Sequence, residues 1–495
     1  MSDTGTTRVR FAPSPTGVLH IGGFRTALYN FLFARHTGGT FVLRIEDTDR
    51  ERYVAGAEQY IKDSLAWCGL SFDEGPDKGG EHGPYRQSER KELYHTYVQQ
   101  LLDAGYAYYA FDSKEELIAM RERLTTKENP SPKYDAESRL SMNNSFTLTQ
   151  EEVASRISRG DPYVVRLKVP EGEQVQFEDT VRGMVAFDTA QIDDQILLKS
   201  DGMPTYHMAN VVDDHLMGIT HIIRGEEWLS STPKHILLYR YLEWEPPKMA
   251  HLPLILSPTG GKLSKRKADK MGIPINVLEY RDAGYEPEPL VNFLAFLGWN
   301  PGTEQEIFTL DGLTTAFTVE RVGSAGVQFN TEKLNWYNQQ FIKDLPVDKL
   351  VARVRPYLKE AGIAADDNYL ASVLELMQER LVLAKDLVGA GAFFFADPDE
   401  YDAKGVKKRW KQDTGEILSS YVSSLDKLDS FTAEQIDPAL KAFAEAGEIG
   451  LGKLMAPLRL ALCGVLQGPD LFKTMELLGK DKVVSRIQKA IEVLG

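Results

Sequence analysis

His20 lies in the run Arg10-Phe11-Ala12-Pro13-Ser14-Pro15-Thr16-Gly17-Val18-Leu19-His20-Ile21-Gly22-Gly23, whose residue types suit phosphate chemistry. An imidazole at such a turn can donate a hydrogen bond to phosphate oxygens whose charge grows during displacement. Gly17, Gly22 and Gly23 let backbone approach a ligand with no Cβ in the way, and Pro13 and Pro15 stiffen the approach. A helix starting here offers unpaired N–H groups to an anion. Taken alone, the run also reads as a tight turn. It is neither a Walker loop, which needs Gly-Lys-Ser/Thr, nor a dinucleotide glycine fingerprint.

A second segment, Lys262-Leu263-Ser264-Lys265-Arg266, follows Gly260-Gly261 and is extended by Lys267 and Lys270. Five of the nine residues from 262 to 270 are basic in a chain of net charge −15. A glycine-hinged loop of this kind can close on a polyphosphate and release it. By itself it is equally a solvated positive patch.

The positioning elements follow from hydrophobic spacing. Val9 to Ala12 reads as a strand, Phe24, Leu28, Phe31 and Leu32 as a helix face, and Phe41 to Ile45 as a buried parallel strand delivering Glu46, Asp47 and Asp49. Strand, crossover helix and strand place a ligand crevice at the carboxyl edge. From about 80 to 200 charged helices such as Lys114 to Leu124 alternate with Pro and Gly breaks, and Tyr163 to Val169 reads as a strand, so this stretch is an insertion. Pro204 to Met217 and His221 to Arg224 return to the first domain, and Leu229 to Leu242 adds a helix. Beyond about 330 the pattern is helical. Ala371 to Leu387 aligns Val373, Leu374, Met377, Leu381 and Ala384. In Leu451 to Leu466, Pro457 is expected at an irregularity rather than inside a helix. The last helix, Lys480 to Leu494, carries Lys482, Arg486 and Lys489, a solvated face.

With 495 residues, 57 basic against 72 acidic side chains and 42% hydrophobic content, the chain is large enough for several domains and needs no disulfide staple. The composition excludes collagen-like and wholly disordered chains and argues against a generic basic coat for nucleic acid. Cys68 and Cys463 are read as buried thiols. The polar N-terminal segment and the lack of a long apolar run predict no membrane span and a cytoplasmic location.

The chain resembles the bacterial and organellar glutamyl-tRNA synthetases, a family of class I aminoacyl-tRNA synthetases. The resemblance rests on RFAPSPTG at 10–17, His20-Ile21-Gly22-Gly23, LRIEDTD at 43–49, Tyr206 to Gly218, RGEEW at 224–228 and Lys262-Leu263-Ser264-Lys265-Arg266, and covers essentially the whole chain. One departure is Gly23, which stands where many class I enzymes have a second histidine. The resemblance implies an α/β Rossmann-like catalytic domain with a parallel sheet, an inserted α+β acceptor-binding domain and a mainly α-helical anticodon-binding region. The corresponding boundaries are 1–80 and 201–260 for the two catalytic halves and 81–200 for the insertion. They continue as 261–340 for a lysine-loop and stem-contact region, then 341–400 and 401–495 for two helical subdomains.

By resemblance, the activity is ATP-dependent ligation of L-glutamate to tRNA(Glu), with tRNA(Gln) as an alternative acceptor. His20, Lys262 and Lys265 would be catalytic, and Gly17, Gly22, Gly23, Leu263, Ser264 and Arg266 would join them around ATP. A substrate with two carboxylates and an ammonium needs cations and an acid. Arg10, Ala12, Ser14, Glu46, Tyr206, Asn210 and Arg224 are the expected pocket, Arg224 facing the side-chain carboxylate. Trp228 is read as core packing. Arg380, Lys408, Arg409 and Trp410 are candidates for tRNA contact, Trp410 as a stacking ring.

Asp213-Asp214-His215 tempts a metal assignment, but consecutive side chains on a helix do not converge on one ion. Mg2+ is expected to travel with the ATP phosphates. Ala110, Asp112, Ser138 and Leu140 stand where some relatives carry zinc ligands, so no zinc is expected. The protein is expected to act as a monomer. A small nucleotidylyltransferase, a truncated glutamyl-queuosine-forming relative and a catalytically dead RNA-binding module are the competing readings. The acceptor insertion, the helical C-terminal region and the retained His20, Lys262, Lys265 and Glu46 argue against them in turn.

Overall fold

The computed structural model describes residues 6–495. The chain forms two compact units. One runs up to Arg281 and includes Leu290–Thr331, and the other comprises Asp282–Pro289 and Glu332–Gly495.

In the first unit, strands β1 (Arg8–Phe11) and β2 (Thr40–Leu43) pair in parallel, with Arg8 opposite Thr40 and Phe11 opposite Leu43. Helix α1 (Ile21–His36) connects them and buries Phe24, Leu28, Phe31 and Leu32. A second parallel pair, His221–Gly225 with Lys248–Leu252, lies beside β1. There the Arg8 N–H donates to Thr220 Oγ1 and the Thr220 N–H donates to Arg8 O, both at 2.9 Å. Val9, Phe11, Phe41, Val42, Leu43, Ile222, Ile223, Met249, Ala250 and Leu252 of these strands are buried, as expected of a parallel layer covered on both faces, and Arg10, Arg224 and His251 are buried among them.

The 81–200 segment is woven into this layer more deeply than an insertion need be. Its hairpin, Gln174–Asp179 with Gly183–Asp188, joins the edge of Lys248–Leu252 where Asp179 meets Met249. Its first helix, Lys91–Asp103, sends Tyr94, Val98 and Leu101 into the same core as Met208, Val211, Val212 and Leu237. A separate small core of Tyr108, Ala110, Met120, Tyr134 and Met142 supports the rest. Asp112 is tied there by the Tyr134 hydroxyl at 2.9 Å and the Asn143 N–H at 2.7 Å. Of the other places compared above with zinc ligands, Ala110 packs in this core, Ser138 is hydrogen-bonded to Asp135 and Lys133, and Leu140 is exposed.

The second unit is helical, and it corrects four expectations. The Ala371 to Leu387 segment is not one helix. It stops at Met377 and continues as 3-10 turns at Gln378–Arg380 and Ala384–Asp386. Gln378 Nε2 donates to the carbonyls of Ile342, Lys343 and Leu345 at 2.7–3.0 Å, and the backbone turns extended at Leu381. Pro457 sits inside the Gly452–Cys463 helix, where its buried ring offsets the hydrogen bond it cannot make.

Trp410 is not an exposed stacking ring: at 9% exposure it packs in the helical core, while Lys408 and Arg409 beside it are exposed. Arg486 is likewise no part of a solvated face. It is 1% exposed, donating to the carbonyls of Phe393, Leu462 and Ala396 and to Asp397 Oδ1 at 2.7–3.0 Å. Both cysteines are buried. No helix among the described residues is long and apolar enough to cross a membrane.

Arg486 thus closes two segment ends at once, those of Ala392–Phe395 and Gly452–Cys463. Its replacement by alanine is expected to cost the protein about 2–4 kcal/mol, the scale of buried acceptors left without a donor. Denaturant unfolding followed in the helical unit would show a loss below about 1 kcal/mol if those bonds were idle.

Candidate active site

The turn after β1 brings His20 to the first position before α1, with extended backbone (φ −86°, ψ 160°). Its Nδ1 accepts the Gly23 N–H at 3.2 Å, which fixes the tautomer and leaves the proton on Nε2. A Cβ on Gly22 would lie 3.1 Å from the ring, so glycine lets the imidazole fold back over its own turn. Burial lowers the pKa of His20, Lys262 lowers it further and Glu227 opposes them, so the ring stays neutral.

The lysine loop reaches this turn through backbone. The Ile21 N–H donates to Ile275 O at 2.9 Å, and the Val277 N–H donates to Leu19 O at 3.0 Å. His20 and Lys262 consequently line one cleft together with Gly22, Arg25, Glu227 and Leu263. Leu263 is buried and anchors the loop, whereas Lys262, Ser264, Lys265 and Arg266 are exposed. Ser264, Lys265 and Arg266 line neither this cleft nor its neighbour. Lys265 opens the short helix Lys265–Met271.

The neighbouring cleft, about 430 Å³, is lined by Arg10, Ala12, Ser14, Glu46, Tyr206, Asn210 and Arg224, and also by Gly17, His20 and Gly23. Trp228 belongs to it as well. It is 37% exposed, its ring 4.2 Å from that of Tyr206, so it forms a wall of the cleft rather than part of the core.

Under the cleft lies a set of charges that hydrophobic spacing does not reveal. Asp214 is fully buried and accepts from Arg10 Nε at 2.9 Å, Arg10 Nη2 at 3.2 Å and Arg44 Nη1 at 2.7 Å. Arg44 continues to Glu46 Oε1 at 3.0 Å, which also accepts from Asn210 Nδ2 at 3.2 Å. Burial alone would raise the Asp214 pKa, but Arg10 and Arg44 outweigh it and hold the carboxyl below its usual value. Glu46 goes the other way: burial raises it more than Arg44 and Arg10 lower it. The Asn210 carbonyl oxygen is buried with no partner among the described residues. Asp213 faces elsewhere, to Arg90, Gln87 and Tyr94, and His215 stacks on Trp244.

Arg224 is 5% exposed and held differently. Its Nε donates to His251 Nε2 at 3.0 Å, Nη1 to the Tyr206 hydroxyl at 3.1 Å and Nη2 to Thr232 Oγ1 at 2.9 Å. Among the described residues it has no ion-pair partner. A buried guanidinium ringed by neutral acceptors keeps its charge available for a carboxylate.

A histidine–glycine turn laced to a lysine-bearing segment at the carboxyl edge of a parallel layer is the construction of a class I tRNA synthetase. In agreement, the family described as tRNA synthetases class I (E and Q), catalytic domain, matches residues 6–336. An anticodon binding domain family matches residues 349–491.

The glutamate–tRNA ligase of Cytophaga hutchinsonii is 50% identical over 512 residues, covering 100% of this chain and 99% of that one. That of Christiangramia forsetii is 49% identical over 98% of this chain and 99% of the relative. A crystal structure of the Elizabethkingia meningosepticum glutamate tRNA ligase in complex with its amino acid superposes with a TM-score of 0.95. It is 44% identical over 99% of this chain and 100% of that one. The chain belongs to the glutamate–tRNA ligase family of class I synthetases.

Asp214→Asn leaves two buried guanidiniums without their shared anion and is expected to cost about 3–5 kcal/mol. The depressed pKa makes the Asp214 contribution fully present above the ordinary value of 3.8, with loss as pH falls through the lowered one. The asparagine variant should therefore show a smaller decline of stability at acid pH. An unchanged acid decline would assign that sensitivity to other carboxylates.

Proposed function

We propose that this protein joins L-glutamate to tRNA(Glu) in two steps, through glutamyl-adenylate. The observation that carries the reading is the buried Arg224, without an acid partner, in the same cleft as Arg10 and Glu46. The Arg224 guanidinium receives the side-chain carboxylate. Arg10, whose Nη1 is left over from its fork on Asp214, receives the α-carboxylate. Glu46 Oε2 and the unpartnered Asn210 oxygen receive the ammonium. Glutamine brings an amide N–H₂ against the same N–H donors and is rejected by that mismatch.

The α-carboxylate attacks the α-phosphorus of ATP, the bond to the β-phosphate oxygen breaks, and diphosphate leaves. The nucleophile is already ionised, so the protein aligns the reactants and stabilises charge. His20 donates from Nε2, because Nδ1 is occupied by Gly23. Lys262 stands beside His20, and Lys265 approaches from the exposed loop. Mg2+ carried on the phosphates supplies further positive charge. The 2′-hydroxyl of the terminal adenosine then attacks the adenylate carbonyl, forming glutamyl-tRNA and releasing AMP.

The helical region presents Arg380, Lys408 and Arg409 as exposed cations for tRNA. Trp410 is withdrawn from that role by its burial. A monomer acting in the cytoplasm completes the reading.

Incubation with ATP, Mg2+, labelled glutamate and total tRNA is expected to give acid-precipitable label that depends on tRNA. Labelled glutamine is expected to give none, and its equal incorporation would refute the pocket assignment. Purified tRNA(Glu) and tRNA(Gln) assayed side by side define the acceptor.

His20→Asn separates the two roles of His20, since the amide oxygen can still accept the Gly23 N–H while the Nε2 donor is gone. Unfolding free energy should stay within about 0.5 kcal/mol, and single-turnover adenylate formation should fall about 10²–10³-fold. Retained activity would remove His20 from the phosphate site. Lys265→Ala should weaken the same step far more than tRNA binding, and equal losses in both would count against its role.

A further inference from the structure

Arg224 poses a problem that its neighbours solve in an unusual way. Four hydrogen-bond acceptors surround the guanidinium, and two are imidazole nitrogens: His251 Nε2 at 3.0 Å from Nε and His235 Nδ1 at 3.3 Å from Nη1. An imidazole nitrogen accepts only when unprotonated, so each ring must place its hydrogen on the other nitrogen. Both have a partner there. His251 Nδ1 lies 2.6 Å from Asp179 Oδ2, and His235 Nε2 lies 3.0 Å from His207 Nδ1. Thr232 Oγ1, which accepts from Nη2, also lies 3.2 Å from His251 Nε2 and 3.2 Å from Trp228 O.

We propose that His251 and His235, their tautomers fixed by Asp179 and His207, are positioning residues that set the orientation of Arg224 and thereby the affinity for the substrate's side-chain carboxylate. The inference rests on the reading of Arg224 given above. Acceptors without charge hold the guanidinium fork in place and leave its charge for a carboxylate, whereas a bonded aspartate would already neutralise it. Desolvation supports neutral rings throughout. Burial, with Arg224 next, puts His235 well below its ordinary pKa; burial brings His207 down to about 3; and burial also lowers His251 despite Asp179. The Asp179 carboxylate reaches Arg224 only through the His251 ring. It is pinned by the backbone N–H groups of Val181 and Arg182 at 3.0 and 2.9 Å and by that of His251 at 3.1 Å. The hairpin added to the catalytic sheet thus has a task in the site, since it carries the group that fixes the His251 tautomer.

The test is a set of substitutions assayed by steady-state aminoacylation with total tRNA. His251→Leu and His235→Leu remove the acceptors. His251→Gln and His235→Asn put an amide oxygen in place of Nε2 and Nδ1 respectively. The leucine variants should raise the KM for glutamate about tenfold or more, the scale of a lost hydrogen bond to a charged group. The KM for ATP and the kcat at saturating glutamate should change less than about threefold, because the interaction is made equally in ground and transition states. The amide variants should recover most of the glutamate KM. A glutamate KM unchanged in folded leucine variants would overturn the proposal. So would kcat, both KM values and thermal stability failing together with no recovery by the amides. Arg224→Ala separates this inference from the reading beneath it. If it raises the glutamate KM while the leucine variants do not, only the positioning role fails. If it leaves the glutamate KM unchanged, the assignment of Arg224 itself fails.

Discussion

The carboxylate of Asp214 is the point on which the amino-acid pocket depends. It comes from the Tyr206–Leu216 helix and is gripped by Arg10, in β1, and by Arg44, just beyond β2. Three segments distant in sequence are therefore fixed at their functional ends by one buried anion. Two buried guanidiniums are costly to desolvate, and their common acceptor makes the arrangement tolerable only in this geometry. Because Arg44 also reaches Glu46, and Glu46 reaches Asn210, the position of the pocket acid follows from the same contact.

The charged groups in direct contact leave one positive charge unbalanced. Arg10 and Arg44 are balanced by Asp214 and Glu46, and Arg224 remains as one cation with only neutral partners. A ligand completing this set should carry one net negative charge, arranged as two anions and one cation. Glutamate has that composition, while glutamine lacks the second anion. On the proposed reading, selectivity comes from a charge balance closed by the substrate rather than from size.

Much of this was legible in the sequence, for a definable reason. The His20 turn, the lysine segment, Arg10, Glu46, Tyr206, Asn210 and Arg224 lie in short runs whose residue types declare their chemistry, and the pocket residues do share one cleft. The supporting charges were not legible, because Arg44, Asp214, His235, His251 and Asp179 acquire meaning only when separate strands and helices meet. Asp213-Asp214-His215 looked like one cluster, yet its members face three ways.

In the helical unit the misreadings have another cause. Val483, Arg486, Ile487 and Ala490 repeat at helical spacing on one buried face, so periodicity placed Arg486 inside while its charge argued for the surface. Trp410 beside three exposed basic residues read as a nucleic-acid contact, although one turn of helix suffices to separate a buried ring from exposed cations.

The two halves of the candidate site differ in burial, in keeping with the ligands proposed for them. The amino-acid pocket is built from strand ends, a helix and buried ion pairs, which suits recognition of a small rigid charge pattern. The phosphate side relies on His20, fixed by its cap, and on lysines standing exposed around one buried anchor, Leu263. Triphosphate must enter and diphosphate must leave in every cycle, so a basic segment buried as firmly as Arg10 would trap its product. The backbone bonds from Leu19 and Ile21 to residues 275–277 hold the base of that segment against the histidine turn and leave its tip exposed. The residues proposed for the acid to be activated are thus buried and bonded, and those proposed for the group to be expelled stand exposed.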